Sequence, residues 1–306
     1  MAVTFAQAAL LESSPIRRGA LEIAINVSNV WDRLPFENIT GNAYAYDKDQ
    51  VLPGTAFRTV NEAYIESTGL VNSDIERLVI LGGDADVDKF IEKTMQSSSG
   101  VLLADQIKMK ITSAQSTFVD TMFNGDTTID TKGFDGLRKR LIGQQVIEAA
   151  APANDAAFLD DLDNLLSRVN GADVVYGPSA VIAKLKSLGR KVGGADYVNS
   201  EITGKREFTW NGIPFIDPGK HWSGRDILTV DATNGGDLYA VKFAHSYTDE
   251  GVMGICNGML DCYTLGELNE KPAYRARIDF YCGMVAQGGH AAARLRQVRL
   301  TAPTTA

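Results

Sequence analysis

From Tyr274 to Ala286 the chain alternates almost without error. Tyr274, Ala276, Ile278, Phe280, Cys282, Met284 and Ala286 fall on one side, with Arg275, Arg277, Asp279, Tyr281 and Gly283 on the other. Side chains of a strand point to opposite faces with period two, so this spacing predicts one long, half-buried β-strand. It exceeds the five or six residues of an ordinary strand, and its apolar face needs a cover of similar length. The segment Asp88–Asn124 supplies one. Leu103, Ile107, Ile111, Ala114, Phe118 and Met122 recur at spacings of four and three, the signature of an amphipathic helix. Ile91, Met95 and Leu102 extend the stripe backwards, and the weak helix formers Ser97–Gly100 predict a bend. About 36 helical residues at 1.5 Å rise make a rod of roughly 54 Å. A long strand laid along a long helix predicts a plate.

Other segments are punctuated around this pair. Among the first thirty-odd residues, Ala8–Leu11 reads as a short helix and Ala20–Val27 as a strand or a buried helical turn. Pro15 and Pro35 interrupt them, and no compact domain fits, which predicts an arm lying on another surface. In the stretch Phe36–Leu81, Tyr44, Ala45, Tyr46 and Val51 flank a charged tip, Asp47-Lys48-Asp49, and Pro53-Gly54 is a turn dipeptide. Thr55–Tyr64 alternates loosely, so the whole reads as a long two-stranded excursion. An isolated hairpin is marginal in water, so this one needs a supporting surface, its own or a neighbour's.

Asn124-Gly125-Asp126 stops the long helix. Beyond Gly133 the texture becomes α/β up to Phe243. Phe158, Leu162, Leu165, Leu166 and Val169 form one helical face, and Ala172–Tyr176 is a buried-strand pattern. Pro178 opens a second helix that Gly189 is expected to close. Asn211-Gly212 is a hairpin turn, and Pro214 points its second strand toward a sheet edge. Ile227–Val230 and Leu238–Phe243 read as further strands.

Composition narrows the function. The chain has 306 residues, enough for a substantial core, and a net charge of −8, which argues against a dedicated grip on nucleic-acid phosphates. Its three cysteines, Cys256, Cys262 and Cys282, form no close pair and point to a reducing compartment. The N-terminal residues lack the order of a signal peptide, and no apolar run reaches membrane-spanning length.

Catalytic motifs are missing from the sequence. His221, His245 and His290 are scattered, and neither a Gly-x-Ser-x-Gly elbow nor a glycine-rich phosphate loop occurs. Asp126, Asp130 and Asp135 lack the spacing of a calcium loop, so a Gly/Asp-rich helix stop is the better reading. Cys256, Cys262, Cys282 and His290 lack the paired spacing of structural zinc sites and read as buried thiols plus a separate imidazole. No metal or cofactor is expected. An α/β enzyme would need a cleft around Asp217, His221 and Asp231.

The order of parts resembles the major capsid proteins of tailed bacteriophages, whose HK97-like fold encapsulin shells share. The resemblance rests on Phe123–Leu137 (FNGDTTIDTKGFDGL) as the exit from a spine helix and on the helix–strand–helix of Asp155–Gly189. It rests also on the hairpin Thr209–Gly219 (TWNGIPFIDPG) and on the returning strands from DLYAVKF to RARIDFYCGMVAQ. It implies an α+β chain divided into an N-terminal arm (1–35), an extended loop (36–82), a peripheral domain (83–132 and 244–306) and an inserted axial domain (133–243).

The implied function is that of a non-enzymatic shell subunit, assembling as hexamers and pentamers of an icosahedral capsid. Implied partners are packaged double-stranded DNA held by non-specific contact and separate scaffolding, portal and decoration proteins, with no membrane. Relatives that carry an N-terminal assembly domain place it before the arm, where this chain has no room, so scaffolding is expected in trans. The implied location is the virion, assembled in the host bacterial cytoplasm. Tyr44, Tyr46, Lys48, Phe57 and Arg58 are the candidate contacts with a neighbour, the aromatics alternatively packing on their own hairpin. The arm is expected to reach under a neighbour, and the tip near Gly193–Lys205 to face a symmetry axis. Some members of the family join subunits by a Lys–Asn isopeptide bond, for which Lys48 with Asn257 or Asn269 is the candidate set. Alternatives are an encapsulin-like compartment, a phage tail or neck protein, and the α/β enzyme.

Overall fold

A computed structural model describes residues 2–12, 18–23, 28–51, 53–68, 70–94, 99–149, 155–192, 195–199, 206–231, 235–246 and 249–299. The chain opens with α1 (Phe5–Leu11), α2 (residues 18–23) and β1 (Phe36–Asn38). A hairpin of β2 (Ala43–Val51) and β3 (Leu70–Arg77) follows, running straight into β4 (Val79–Asp88). Next come α3 (Lys89–Thr94), the spine helix α4 (Ser99–Asn124), the one-turn α5 (Leu137–Arg140), β5 (Val146–Glu148), α6 (Asp155–Ser167), β6 (Val174–Tyr176) and α7 (Ser179–Val192). The remainder is β: β7 (Ala195–Asn199), β8 (Arg206–Trp210), β9 (Ile213–Ile216), β10 (Gly236–Val241), β11 (Gly251–Cys256), β12 (Asp261–Glu267), β13 (Ala273–Gln287) and β14 (Ala292–Val298).

The alternating segment is β13, a 15-residue strand about 50 Å long at 3.3 Å per residue. One edge pairs with β4 through residues 273–282. The other carries β12 and then β11, which run end to end antiparallel to it while residues 257–260 step off the edge. Ala276, Ile278, Phe280, Cys282 and Met284 are buried, and four of them, Ile278, Phe280, Cys282 and Met284, share a core with Ile111, Phe118, Met122 and Phe123 of α4. The periodicities of two and of three-to-four therefore mate. Of the predicted bend at Ser97–Gly100, residues 97 and 98 lie outside the described residues, and Ser99 and Gly100 are the first residues of α4.

The second sheet has seven strands in the order β5-β14-β10-β6-β9-β8-β7, flanked by α6 and α7. Its composition differs from the sequence-based division at one point. That division put 244–306 with the peripheral strands, whereas β14 pairs antiparallel with β10 and parallel with β5. Alternation along β14 is equally compatible with either sheet, and only the partner decides.

Smaller expectations shift as well. Gly189 is buried inside α7, which continues to Val192. Ile227 and Leu228 are core residues of an irregular segment, with no strand over 227–230. Asn211 (φ 51°) and Gly212 (φ 80°) form the expected two-residue turn. Pro214, however, lies in an interior strand, because β9 pairs with β8 on one side and with β6 on the other. In such a hairpin Trp210 and Ile213 close the turn, so Pro214 opposite Thr209 sits in a pair that needs no hydrogen bond to β8. Pairing with β6 begins only at Phe215, so the missing N–H costs no ladder bond.

Residues 2–12 pack on the chain's own core. Thr4 and Gln7 form a capping box for α1, and Val3 bridges Phe36. Phe5 is fully buried, stacked on Trp31 with centroids 4.4 Å apart and edge-on to Phe36 at 4.9 Å and Phe280 at 5.9 Å. An aromatic knot of the chain's own rings holds residues 2–12 to the peripheral sheet.

At the helix exit two backbone segments cross in contact. Gly136 N donates to Gly125 O at 2.9 Å, and a Cβ on Gly125 would stand 2.3 Å from Phe134 O. Only glycine allows that approach.

Candidate assembly surface

The β2–β3 hairpin leaves the body in a register running from Ala43 opposite Arg77 to Val51 opposite Leu70. Its root is fixed by the chain itself. Tyr46 is 1% exposed and packs with Ala244, Met253, Ile255 and Val285, covering the outer face of the far end of β13. Tyr44 stacks beside it at 6.3 Å and borders the same cluster. Of these two candidate contacts Tyr46 is thus buried against its own peripheral sheet and Tyr44 partly so. The strand alternation that puts both tyrosines on one face was legible, but the surface that face meets was not.

Lys48 lies within β2, its backbone opposite Asn72, so the charged triplet is on a strand and the tip is the later segment 53–68. Of the proposed cross-link partners, Asn257 donates through Nδ2 to Gly41 O at 3.2 Å, at the foot of its own hairpin. Asn269 is exposed in the turn between β12 and β13.

All of 53–68 is exposed. Within it Glu62 accepts from Thr59 N at 3.0 Å and from Thr59 Oγ1 at 2.8 Å, and those bonds hold its carboxyl below the usual range. Arg58 turns back on this loop, its guanidinium 4.9 Å from the Tyr64 ring centre. Phe57, Val60, Tyr64 and Ile65 stand exposed on this short turn-closed segment. Of the original candidates Phe57 alone is an exposed apolar side chain. Val60, Tyr64 and Ile65 were missed, although apolar residues in a segment bounded by Pro53-Gly54 and unable to reach a core carried the signal.

The outer face of the peripheral sheet is closed by charge. Arg277 Nε bonds Asp84 at 2.7 Å, Arg275 Nε bonds Asp86 at 2.6 Å, and Lys271 also reaches Asp86. The cross-strand arginine bonds hold both carboxyls below their ordinary range, Asp86 more so than Asp84. Tyr263 Oη donates to Asp279 at 2.9 Å.

The other chemistry weighed from the sequence does not converge. Lys139 Nζ sits 2.7 Å from Asp126 and 2.9 Å from Asp135, the place a cation would take between those carboxylates. Cys256, Cys262 and Cys282 are buried free thiols, while His290 bonds Arg168 O at 3.0 Å beside the axial sheet. Among the described residues, no group of three His, Cys, Asp or Glu side chains could hold a metal. Asp231 lines a polar cleft of about 390 Å³ with Arg138, Asp237 and Arg294, but Asp217 and His221 do not. Burial raises the Asp217 carboxyl, which accepts from Gly219 N at 3.0 Å, and His221 Nδ1 lies 2.9 Å from Ser223 Oγ. Among the described residues no helix is long and apolar enough to cross a membrane.

No family model matches the sequence, and no curated protein does. Solved structures do match. The holo-SrpI encapsulin complex from Synechococcus elongatus PCC 7942 aligns with a TM-score of 0.66 at 16% identity, covering 90% of this chain and 88% of that one. A structure from Microbacterium phage Oxtober96 aligns at 0.60 and 12% identity, covering 90% of each chain. The capsid of the empty GTA particle gives 0.58 and 12%, covering 86% of this chain and 87% of that one. The chain therefore has the HK97-like fold of phage capsids and encapsulin shells, in an α+β architecture.

Proposed function

We propose that this protein is a structural shell subunit whose copies associate into hexamers and pentamers of a closed icosahedral capsid around double-stranded DNA. The observation that carries this reading is the hairpin tip. Residues 53–68 expose Phe57, Val60, Tyr64 and Ile65 far along the chain from the buried root at Tyr46, and exposed apolar groups of this kind mark an interaction surface. Contacts that repeat by rotation close into rings and shells, and several weak ones reinforce each other in each subunit. The tip is the part of the loop that overlies an adjacent copy; Tyr44 and Tyr46 set its direction. The site of action is the virion, with assembly in the host bacterial cytoplasm and scaffolding, portal and decoration proteins acting in trans. The work is association, with no reaction catalysed.

An encapsulin-like compartment enclosing protein is the second reading, favoured by the similarity to the SrpI shell. Contents decide between the two: nuclease-protected DNA in one case, a co-purifying protein in the other.

Val51 and Leu70 face each other in register, so an Asn-Gly dipeptide can replace residues 52–69 and close the hairpin as a two-residue turn. The expected result is a subunit with wild-type circular dichroism that forms no shells by size-exclusion chromatography and negative-stain microscopy. Normal shells from the shortened chain would refute the role of the tip.

A further inference from the structure

Three consecutive basic residues on α5 reach three different parts of the molecule. The carbonyl of Arg138 accepts from Arg294 Nη1 of β14 at 3.4 Å. Lys139 bridges Asp126 and Asp135 in the exit from the spine helix. Arg140 donates through Nε to Asp135 O at 2.5 Å and through Nη1 to Glu76 of β3. This one turn is where the spine helix, the axial sheet and the hairpin meet. Glu76 is the second residue from the end of β3, so it stands at the root of the hairpin opposite Tyr44. The two side chains keep only 13% and 22% of their exposure.

We propose that the Glu76–Arg140 ion pair is a latch that sets the angle at which the hairpin leaves the subunit. It thereby fixes the angle between neighbouring copies. The second step rests on the shell reading; the first does not. Tyr46 anchors the hairpin by burial, which is non-directional and tolerates a change of tilt. A largely buried guanidinium–carboxylate contact is directional, and removal of one partner strands the other charge out of water. Arg140 is itself held to the carbonyl of Asp135, so the hairpin is referenced to the root of the axial domain. A small rotation at this root is multiplied along the strands to the tip, where the neighbour is met.

The experiment compares the full chain with Glu76→Gln, Arg140→Gln and the double variant. Hydrogen exchange of residues 43–51 and 70–77 is read on unassembled subunits, and particle diameters are read by electron microscopy. Each single variant leaves one buried charge unpaired and is expected to exchange roughly ten-fold faster in the hairpin, with unchanged protection in β13. Its particles are expected to be open or of mixed diameter. The double variant leaves no unpaired charge and should lie closer to wild type than either single variant. Wild-type hairpin exchange in both single variants would overturn the latch. Altered exchange with wild-type diameters would overturn its control of the angle between copies. Absence of particles from the wild type would count against the shell reading alone, because the exchange comparison still judges the latch. Should Arg140→Gln fail to fold, Glu76→Gln carries the same comparison.

Discussion

Phe5→Ala separates an N-terminal segment that belongs to its own subunit from one that belongs to a neighbour. Phe5 is fully buried, in contact with Trp31, Phe36 and Phe280. Truncating a buried phenylalanine to alanine costs about 3–5 kcal/mol, from lost transfer energy and the cavity left behind. Aromatic pairs contribute roughly 0.5–1.5 kcal/mol beyond burial, so a ring touching three others belongs at the upper end, about 4–5 kcal/mol. Sensitivity falls with chain length, and at about 2 °C per kcal/mol the midpoint should drop by about 8–10 °C. The assay is differential scanning calorimetry on the subunit whose tip is replaced by Asn-Gly, so that assembly does not contribute. A contact within one chain is lost equally at all protein concentrations, whereas a contact between chains makes the shift concentration-dependent. A shift under about 3 °C, or one that appears only on concentration, would refute the intramolecular knot.

Two further outcomes follow from the titratable groups. The folded-state pKa values of Asp84 and Asp86 lie below the unfolded reference of about 3.9, so their stabilisation is present above about pH 4 and lost as pH falls through the folded values. Asp84→Asn/Asp86→Asn should flatten the fall in melting temperature between about pH 4 and pH 2, modestly because the pairs are partly solvated, and an identical acid limb would sink the idea. Burial pushes the Cys256 thiol up to about 12 and raises Cys262 and Cys282 too, so iodoacetamide at neutral pH should leave the native protein unlabelled. In urea all three should react, and mass spectrometry distinguishes the two states.

Legibility differed from one element to the next for definable reasons. The run Tyr274–Ala286 was readable as β13 because one face meets a helix and the other meets water over most of its length, so the pattern carries both contacts. The stripe Ile111–Phe118–Met122 was readable for the same reason. Asn211-Gly212 was readable because positive φ at both turn residues restricts the choice of side chains. Ile227 and Leu228 misled, since buried irregular backbone shows the same short apolar run as a strand. Pro214 misled because its cost depends on which side of the strand its missing N–H faces, a matter of register. In the candidate surface, Phe57 was visible as an aromatic in a polar loop. Tyr44 and Tyr46 were equally visible, yet nothing local distinguishes an aromatic that meets its own body from one that meets a neighbour. The Glu76–Arg140 pair was invisible, since 64 residues separate its members.

The sequence by itself determined the period-two strand, the amphipathic spine helix, its stop at Asn124-Gly125-Asp126 and the order of parts that resembles a capsid subunit. Each of these is a local pattern, imposed by φ/ψ limits and by which face of one element must leave water. Tertiary structure decided the rest: β14 in the axial sheet, the N-terminal segment on its own core, Tyr46 beneath the hairpin and Arg140 at its root. Those outcomes depend on which surfaces meet, and burial rewards any apolar partner of suitable shape. The choice among partners is settled only when the whole chain packs at once.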